Sequence, residues 1–134
     1  MRIVLDTNVL ISGIFFRGPS YRILQARKNK KIQFIISPEI YDEYSRVAEV
    51  ISKKYPGIDI SEILKLIAIY SEISQSYVLP EQVCEDPDDD KFIACAISNE
   101  TRYIVSGDKH LLKISGYKGI RVLKPQEFCS EFLE

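Results

Sequence analysis

The segment Arg2-Ile3-Val4-Leu5-Asp6-Thr7-Asn8-Val9-Leu10-Ile11 joins a short β-prone run to an acid and then to a helix-competent apolar stretch. Ile3, Val4 and Leu5 follow one another without polar alternation, which suits a strand buried on both faces at the centre of a parallel sheet. Thr7 or Asn8 can cap the helix that follows through Val9, Leu10 and Ile11. Gly13, Gly18 and Pro19 interrupt it, and a second helix is expected from Ser20 to Lys28.

The same order of strand and helix recurs downstream. Ile32-Gln33-Phe34-Ile35-Ile36 reads as a second strand. Ser37-Pro38-Glu39 then supplies a capping hydroxyl, a proline at the first helical position and an acid. This helix is expected to reach about Lys54, with Ile40, Tyr44, Val47 and Ile51 facing inward and Glu43 bordering that stripe. Asp59-Ile60-Ser61-Glu62 fits a capping box for another helix, and Tyr77-Val78-Leu79-Pro80 a short strand or extended connection. A helix is expected from Asp89 or Asp90 to Asn99, and a third strand at Arg102–Val105 before Ser106-Gly107-Asp108. A short helix through Leu111 and Leu112, a fourth strand at Gly119–Leu123 and a helix from Pro125 complete the chain. Alternating strands and helices imply an α/β fold with a parallel sheet, in one domain spanning residues 1–134.

Composition narrows the chemistry. The chain has 134 residues, 46% of them hydrophobic, enough for one core. No basic leader precedes an apolar run, and no apolar stretch nears the ~20 residues that cross a bilayer, so the expectation is a cytoplasmic protein without a membrane anchor. Cys84, Cys95 and Cys129 are widely spaced and read as buried thiols. His110 is the only histidine, which argues against a His/Cys zinc site, and no G-x-S-x-G elbow is present. A net charge of −1 means that any nucleic acid must be met by a local patch or by bound cations. Arg27, Lys28, Lys30 and Lys31 form the one basic run, readable as a phosphate contact or as a solvated helix end.

The acids are placed less evenly. Asp6 and Asp108 each follow an apolar strand, where the crevice of an open parallel sheet lies. Five carboxylates crowd Glu85–Asp90, more than helix capping requires. The reading is that Asp6, Glu43, Asp90 and Asp108 converge. Two carboxylates about 5 Å apart repel by roughly 3 kcal/mol at an effective dielectric near 20. Four together therefore hold protons or cations, and oxygen ligands match Mg²⁺ or Mn²⁺. Such a pocket suits phosphodiester hydrolysis.

These stretches resemble a known family. Ile3-Val4-Leu5-Asp6-Thr7-Asn8-Val9-Leu10-Ile11-Ser12 resembles the opening motif of PIN-domain ribonucleases. Ser37 to Tyr44, Asp86 to Phe92 and Ile104 to Asp108 resemble their second, third and fourth acidic segments, in the same order. The nearest branch comprises toxin components of prokaryotic toxin–antitoxin pairs. The resemblance implies a three-layer α/β/α sandwich, metal-dependent endonuclease activity on single-stranded RNA, and often a homodimer with an antitoxin partner. It carries the acidic quartet onto Asp6, Glu43, Asp90 and Asp108, and the adjoining polar residues onto Asn8 and Ser106. The family usually has threonine where this chain has Ser106. Asp90 is taken over Asp89 because Asp90-Lys91-Phe92-Ile93-Ala94 matches the family's D-x-x-I-A spacing. The rival reading is a non-catalytic module that holds RNA or a partner, for instance an antitoxin arginine entering the acidic pocket.

Overall fold

Strand β1 (Arg2–Leu5) lies at the middle of the sheet, between β2 (Gln33–Ile36) and β4 (Tyr103–Val105). In this computed structural model, which describes residues 1–134, β3 (Glu72–Ile73) flanks β2 and β5 (Arg121–Leu123) flanks β4. The order is β3-β2-β1-β4-β5 and every pair is parallel. Ile3, Val4 and Leu5 are each at most 1% exposed, as are Ile35, Ile36, Ile104 and Val105. Successive strand residues point to opposite faces, so burial without alternation means that both faces are covered. The helices thus form the outer layers of an α/β/α sandwich.

The helices are α1 (Thr7–Phe15), α2 (Pro19–Lys28), α3 (Pro38–Lys54), α4 (Ile60–Ile69), α5 (Asp90–Ser98), α6 (Lys109–Lys113) and α7 (Pro125–Phe132). The capping signals act locally: the Ser37 hydroxyl accepts the Ile40 N–H at 3.3 Å, and Asp59 accepts the Glu62 N–H at 3.2 Å. The inward face of α3 is Ile40, Tyr44 and Ala48, with Val47 and Ile51 only half-buried. The Tyr44 hydroxyl donates to the Leu5 carbonyl and ties α3 to the end of β1.

Two expectations are corrected. Asp6, not Thr7 or Asn8, is the N-cap of α1, its carbonyl accepting the Val9 and Leu10 N–H groups. The strand of this region is Glu72–Ile73, and of the two readings of Tyr77–Pro80 the connection stands and the strand does not. Both residues of β3 are exposed at a sheet edge, so no burial periodicity marks them, while β-prone Val78 is 88% exposed. The basic run Arg27–Lys31 leads into the first residue of β2, at the amino end of the sheet. It therefore lies at the end opposite the strand-terminal acids.

The connections also fix where a ligand crevice forms. From β1 the chain moves to β2 and β3 on one side, then returns to β4 and β5 on the other. The carboxyl ends of β1 and β4 thus flank a topological switch point.

Helices α1 and α2 approach closely at Gly13. A Cβ there would stand 2.7 Å from Leu24 Cδ1 and 2.9 Å from the Ser20 carbonyl oxygen. Leu24 can rotate away, but the Ser20 backbone cannot move without shifting α2. Alanine gains about 1 kcal/mol of helix propensity over glycine; overpacking a filled interface costs about 1–3 kcal/mol. Gly13→Ala is expected to lower stability by up to about 2 kcal/mol on that balance, measured by urea unfolding.

Candidate active site

Asp6 extends β1 by one residue, donating its N–H to the Val105 carbonyl at 3.0 Å before α1 begins. Its side chain makes no capping bond to α1. Instead Asp6 Oδ2 accepts the Ser106 hydroxyl at 2.5 Å. Ser106 is fully buried and its oxygen also accepts the Asp108 N–H at 2.9 Å. One hydroxyl therefore links the first carboxylate to the segment that carries the last. Asp108 caps α6 through Oδ1, which accepts the His110 N–H at 2.7 Å and the Leu111 N–H at 3.4 Å. Burial raises the Asp6 carboxyl above its ordinary value, with the charges of Glu43 and Asp108 adding and hydrogen bonds from Ser106 and Thr7 opposing.

Glu43 joins from α3, and its two oxygens are both engaged. Oε2 accepts the Thr7 hydroxyl, and Oε1 lies 2.5 Å from Lys91 Nζ. Lys91 also reaches Asp88 Oδ1 at 3.1 Å, and its side chain is 11% exposed.

The third acidic segment is seated differently from the expectation. Asp90 has both carboxylate oxygens taken by backbone: Oδ2 accepts the Val83 N–H at 3.0 Å and Oδ1 the Cys84 N–H at 2.7 Å. It anchors the strap ahead of α5. Asp89 faces the cluster in its place. Burial, then the charges of Asp108, Asp86 and Asp6, push its carboxyl up to about 6. A 3₁₀ turn, Pro87–Asp89, precedes α5 and rotates the two neighbouring acids into different directions. The D-x-x-I-A spacing from Asp90 to Ala94 lies wholly within α5 and carries no information about the acid that precedes it.

Asp6, Glu43, Asp108 and Ser106 are brought together at the switch point, while Asp90 is engaged by the strap amides and Asn8 is exposed. Sequence reasoning set Asp89 aside in favour of Asp90, and it gave Thr7, Lys91 and His110 no place in the site. Thr7 sits in a capping context, and Lys91 after five acids looks like a solvated counter-charge. His110 was weighed only as a zinc ligand. Its Nδ1 lies 3.5 Å from Asp89 Oδ2 and 3.8 Å from Asp108 Oδ1. Asp86, Asp89 and His110 can each offer a ligand atom within 4.8 Å of the others.

The donor set fits a hard divalent cation. The ligand atoms within mutual reach are two carboxylate oxygens and an imidazole nitrogen, and Asp89 Oδ2 is shielded from solvent with His110 Nδ1 at 3.5 Å in place of a close hydrogen bond. A buried acceptor left unpaired is costly, and a cation satisfies it.

Carboxylates gathered at the switch point of a parallel α/β sheet define a site for a cation and an anionic substrate. A family model described as PIN domain matches residues 2–110. The chain belongs to the PIN-domain family, whose general chemistry is that of nucleases. Among solved structures it is similar to VapBC2 from Rickettsia felis, bound to a DNA fragment from their promoter. The TM-score is 0.61 over 92% of this chain and 98% of that one, at 15% identity, a likeness of fold. No curated protein matches the sequence.

The raised Asp89 carboxyl has a pH consequence. An acid whose folded pKa exceeds its unfolded value favours the folded state while protonated in both. That contribution is lost as pH rises from the unfolded value of 3.8 to the folded value of about 6. In chelated buffer, urea midpoints of the wild type are expected to fall across this window, and Asp89→Asn to flatten the fall. An equal slope in both proteins would show that Asp89 is not the titrating group.

Proposed function

We propose that this protein is a Mg²⁺- or Mn²⁺-dependent endoribonuclease that hydrolyses phosphodiester bonds of single-stranded RNA. The observation that carries this reading is the crowding of the Asp6, Asp89 and Asp108 carboxylates, two of them joined through Ser106, with the charge of Asp108 raising both of the others. These three would hold the cation, with Asp89 taking the role assigned to Asp90 from the sequence. When bound, a divalent cation lowers the pKa of water and neutralises a phosphoryl oxygen.

The chain's own residues set the geometry around that chemistry. Ser106 fixes the Asp6 carboxylate by donating to Oδ2, and it holds the Asp108 backbone through its accepted N–H. Capping α6 restrains Asp108 in turn. Thr7 and Lys91 hold Glu43 at the edge of the pocket. The low exposure of Asp6, 6%, limits competing water and strengthens every charge interaction there.

The biological role we propose is that of the toxin in a toxin–antitoxin pair. Family membership and the fold likeness to VapBC2 support this reading. Its partners would be an antitoxin protein and a second copy of the chain. We take the protein to act as a single domain in the cytoplasm; no helix is long and apolar enough to cross a membrane.

Cleavage of a single-stranded RNA, with and without Mn²⁺, tests the reading. Asp6→Asn and Asp89→Asn are each expected to lower the Mn²⁺-dependent rate by on the order of 100-fold or more. Asp90→Asn is expected to keep most of the rate but to lose about 1–3 kcal/mol of stability, because the Val83 and Cys84 N–H groups lose a charged acceptor. RNA retained uncut by the wild type would favour a binding module instead. A stable Asp90→Asn protein as inactive as Asp89→Asn would return the third position to Asp90.

A further inference from the structure

Glu43 differs from the other acids of the pocket in what already surrounds it. Oε2 is taken by the Thr7 hydroxyl and Oε1 by the Lys91 ammonium at 2.5 Å. Asp89 presents a different case: its shielded Oδ2 accepts no close hydrogen bond, and the donor facing it is His110 Nδ1 at 3.5 Å. A cation entering beside Glu43 would have to displace a close donor from each of its oxygens, whereas at Asp89 Oδ2 it meets only the longer approach of His110. The Lys91 ammonium is held from two sides, by Glu43 of α3 and by Asp88 of the turn before α5. At 11% exposure its position is set by the fold rather than by solvent. Lys91 also lines an open cleft of about 450 Å³ with Tyr77, Pro80 and Glu39. Its positive charge therefore lies between the carboxylate pocket and a path along the surface.

We propose that the Lys91 ammonium, seated on Glu43 and Asp88, is a built-in counter-charge standing where a second metal ion would otherwise be required. The pocket then takes a single divalent cation, on Asp6, Asp89 and Asp108, and Glu43 is not a metal ligand but the residue that positions Lys91. In phosphodiester hydrolysis, a second cation serves to balance charge on the phosphate and the leaving oxygen. A lysine ammonium supplies the same sign of charge as a compact point donor to phosphate oxygens. The ion pair thus assigns the two sides of the pocket to different kinds of cation.

This inference rests on the metal-dependent reading above, and its test separates the two. Mn²⁺ is titrated into the full chain and the free ion followed by electron paramagnetic resonance, so that stoichiometry and affinity are read without an activity assay. The wild type is expected to take up a single Mn²⁺ per chain. Glu43→Gln, nearly isosteric, should keep that stoichiometry with the dissociation constant within about threefold, while Asp89→Asn should weaken it by roughly tenfold or more. Lys91→Met releases the Glu43 carboxylate and should admit a second Mn²⁺. If Lys91→Met fails to fold, Glu43→Gln decides alone, because a metal ligand and a lysine-positioning residue differ there. Two Mn²⁺ per wild-type chain, or a roughly tenfold loss in Glu43→Gln, would overturn the role of Lys91 and leave metal dependence standing. No Mn²⁺ uptake by the wild type would overturn both.

Discussion

The Ser106 hydroxyl is the contact on which the pocket depends. Placed at the end of β4 and excluded from solvent, it donates to the Asp6 carboxylate and accepts from the Asp108 backbone. It can do both because a hydroxyl is donor and acceptor at once. The two strand ends that carry these acids are adjacent in the sheet and far apart in the chain. Without a bridging group, like charges gathered there would favour separation; with it, the carboxylates keep a fixed spacing.

The surrounding structure can be understood as the means of keeping that bridge in register. Asp6 adds one further rung to the β1–β4 ladder through Val105, and the Ser106 N–H adds one to the β4–β5 ladder through Leu123. Tyr44 reaches across from α3 to the Leu5 carbonyl, which brings Glu43 to the same end of the sheet. The anchoring of Asp90 on Val83 and Cys84 fixes the strap before α5 and so directs its neighbour Asp89 inward. Each acid near the pocket has its own local restraint, and the charges differ in their compensation. Glu43 and Asp88 are balanced by Lys91, whereas Asp6 and Asp89 are pushed towards protonation by burial and by neighbouring carboxylates.

That uneven compensation links the fold to its chemistry. A pocket with all its acids neutralised by lysine or arginine would be stable and inert. Here the carboxylates at the switch point remain undercompensated, and stored electrostatic strain of this kind favours uptake of a hard cation. Family membership gives the general activity, while the ion pair of Glu43 and Lys91 is a feature of this chain's geometry. The two levels should be kept apart, because a family pattern of acids does not say which oxygens are already occupied.

Much of the architecture was legible along the chain. The unbroken apolar run Ile3-Val4-Leu5, repeated in kind at Phe34-Ile35-Ile36 and Ile104-Val105, announced buried parallel strands because burial on both faces abolishes alternation. Ser37-Pro38-Glu39 and Asp59 announced helix starts, since capping is a short-range interaction between a side chain and N–H groups a few residues on. The edge strand Glu72–Ile73 was not legible, because it is held by backbone pairing to β2 and neither side chain is buried. Nor was the choice between Asp89 and Asp90, which turns on a 3₁₀ turn and on two amides that only the folded strap supplies. Spacing in a sequence determined which elements form and which ends carry acids, because those depend on local backbone and burial patterns. The direction of each carboxylate, and the lysine that satisfies one of them, depended on contacts between distant segments and was decided only by the tertiary structure.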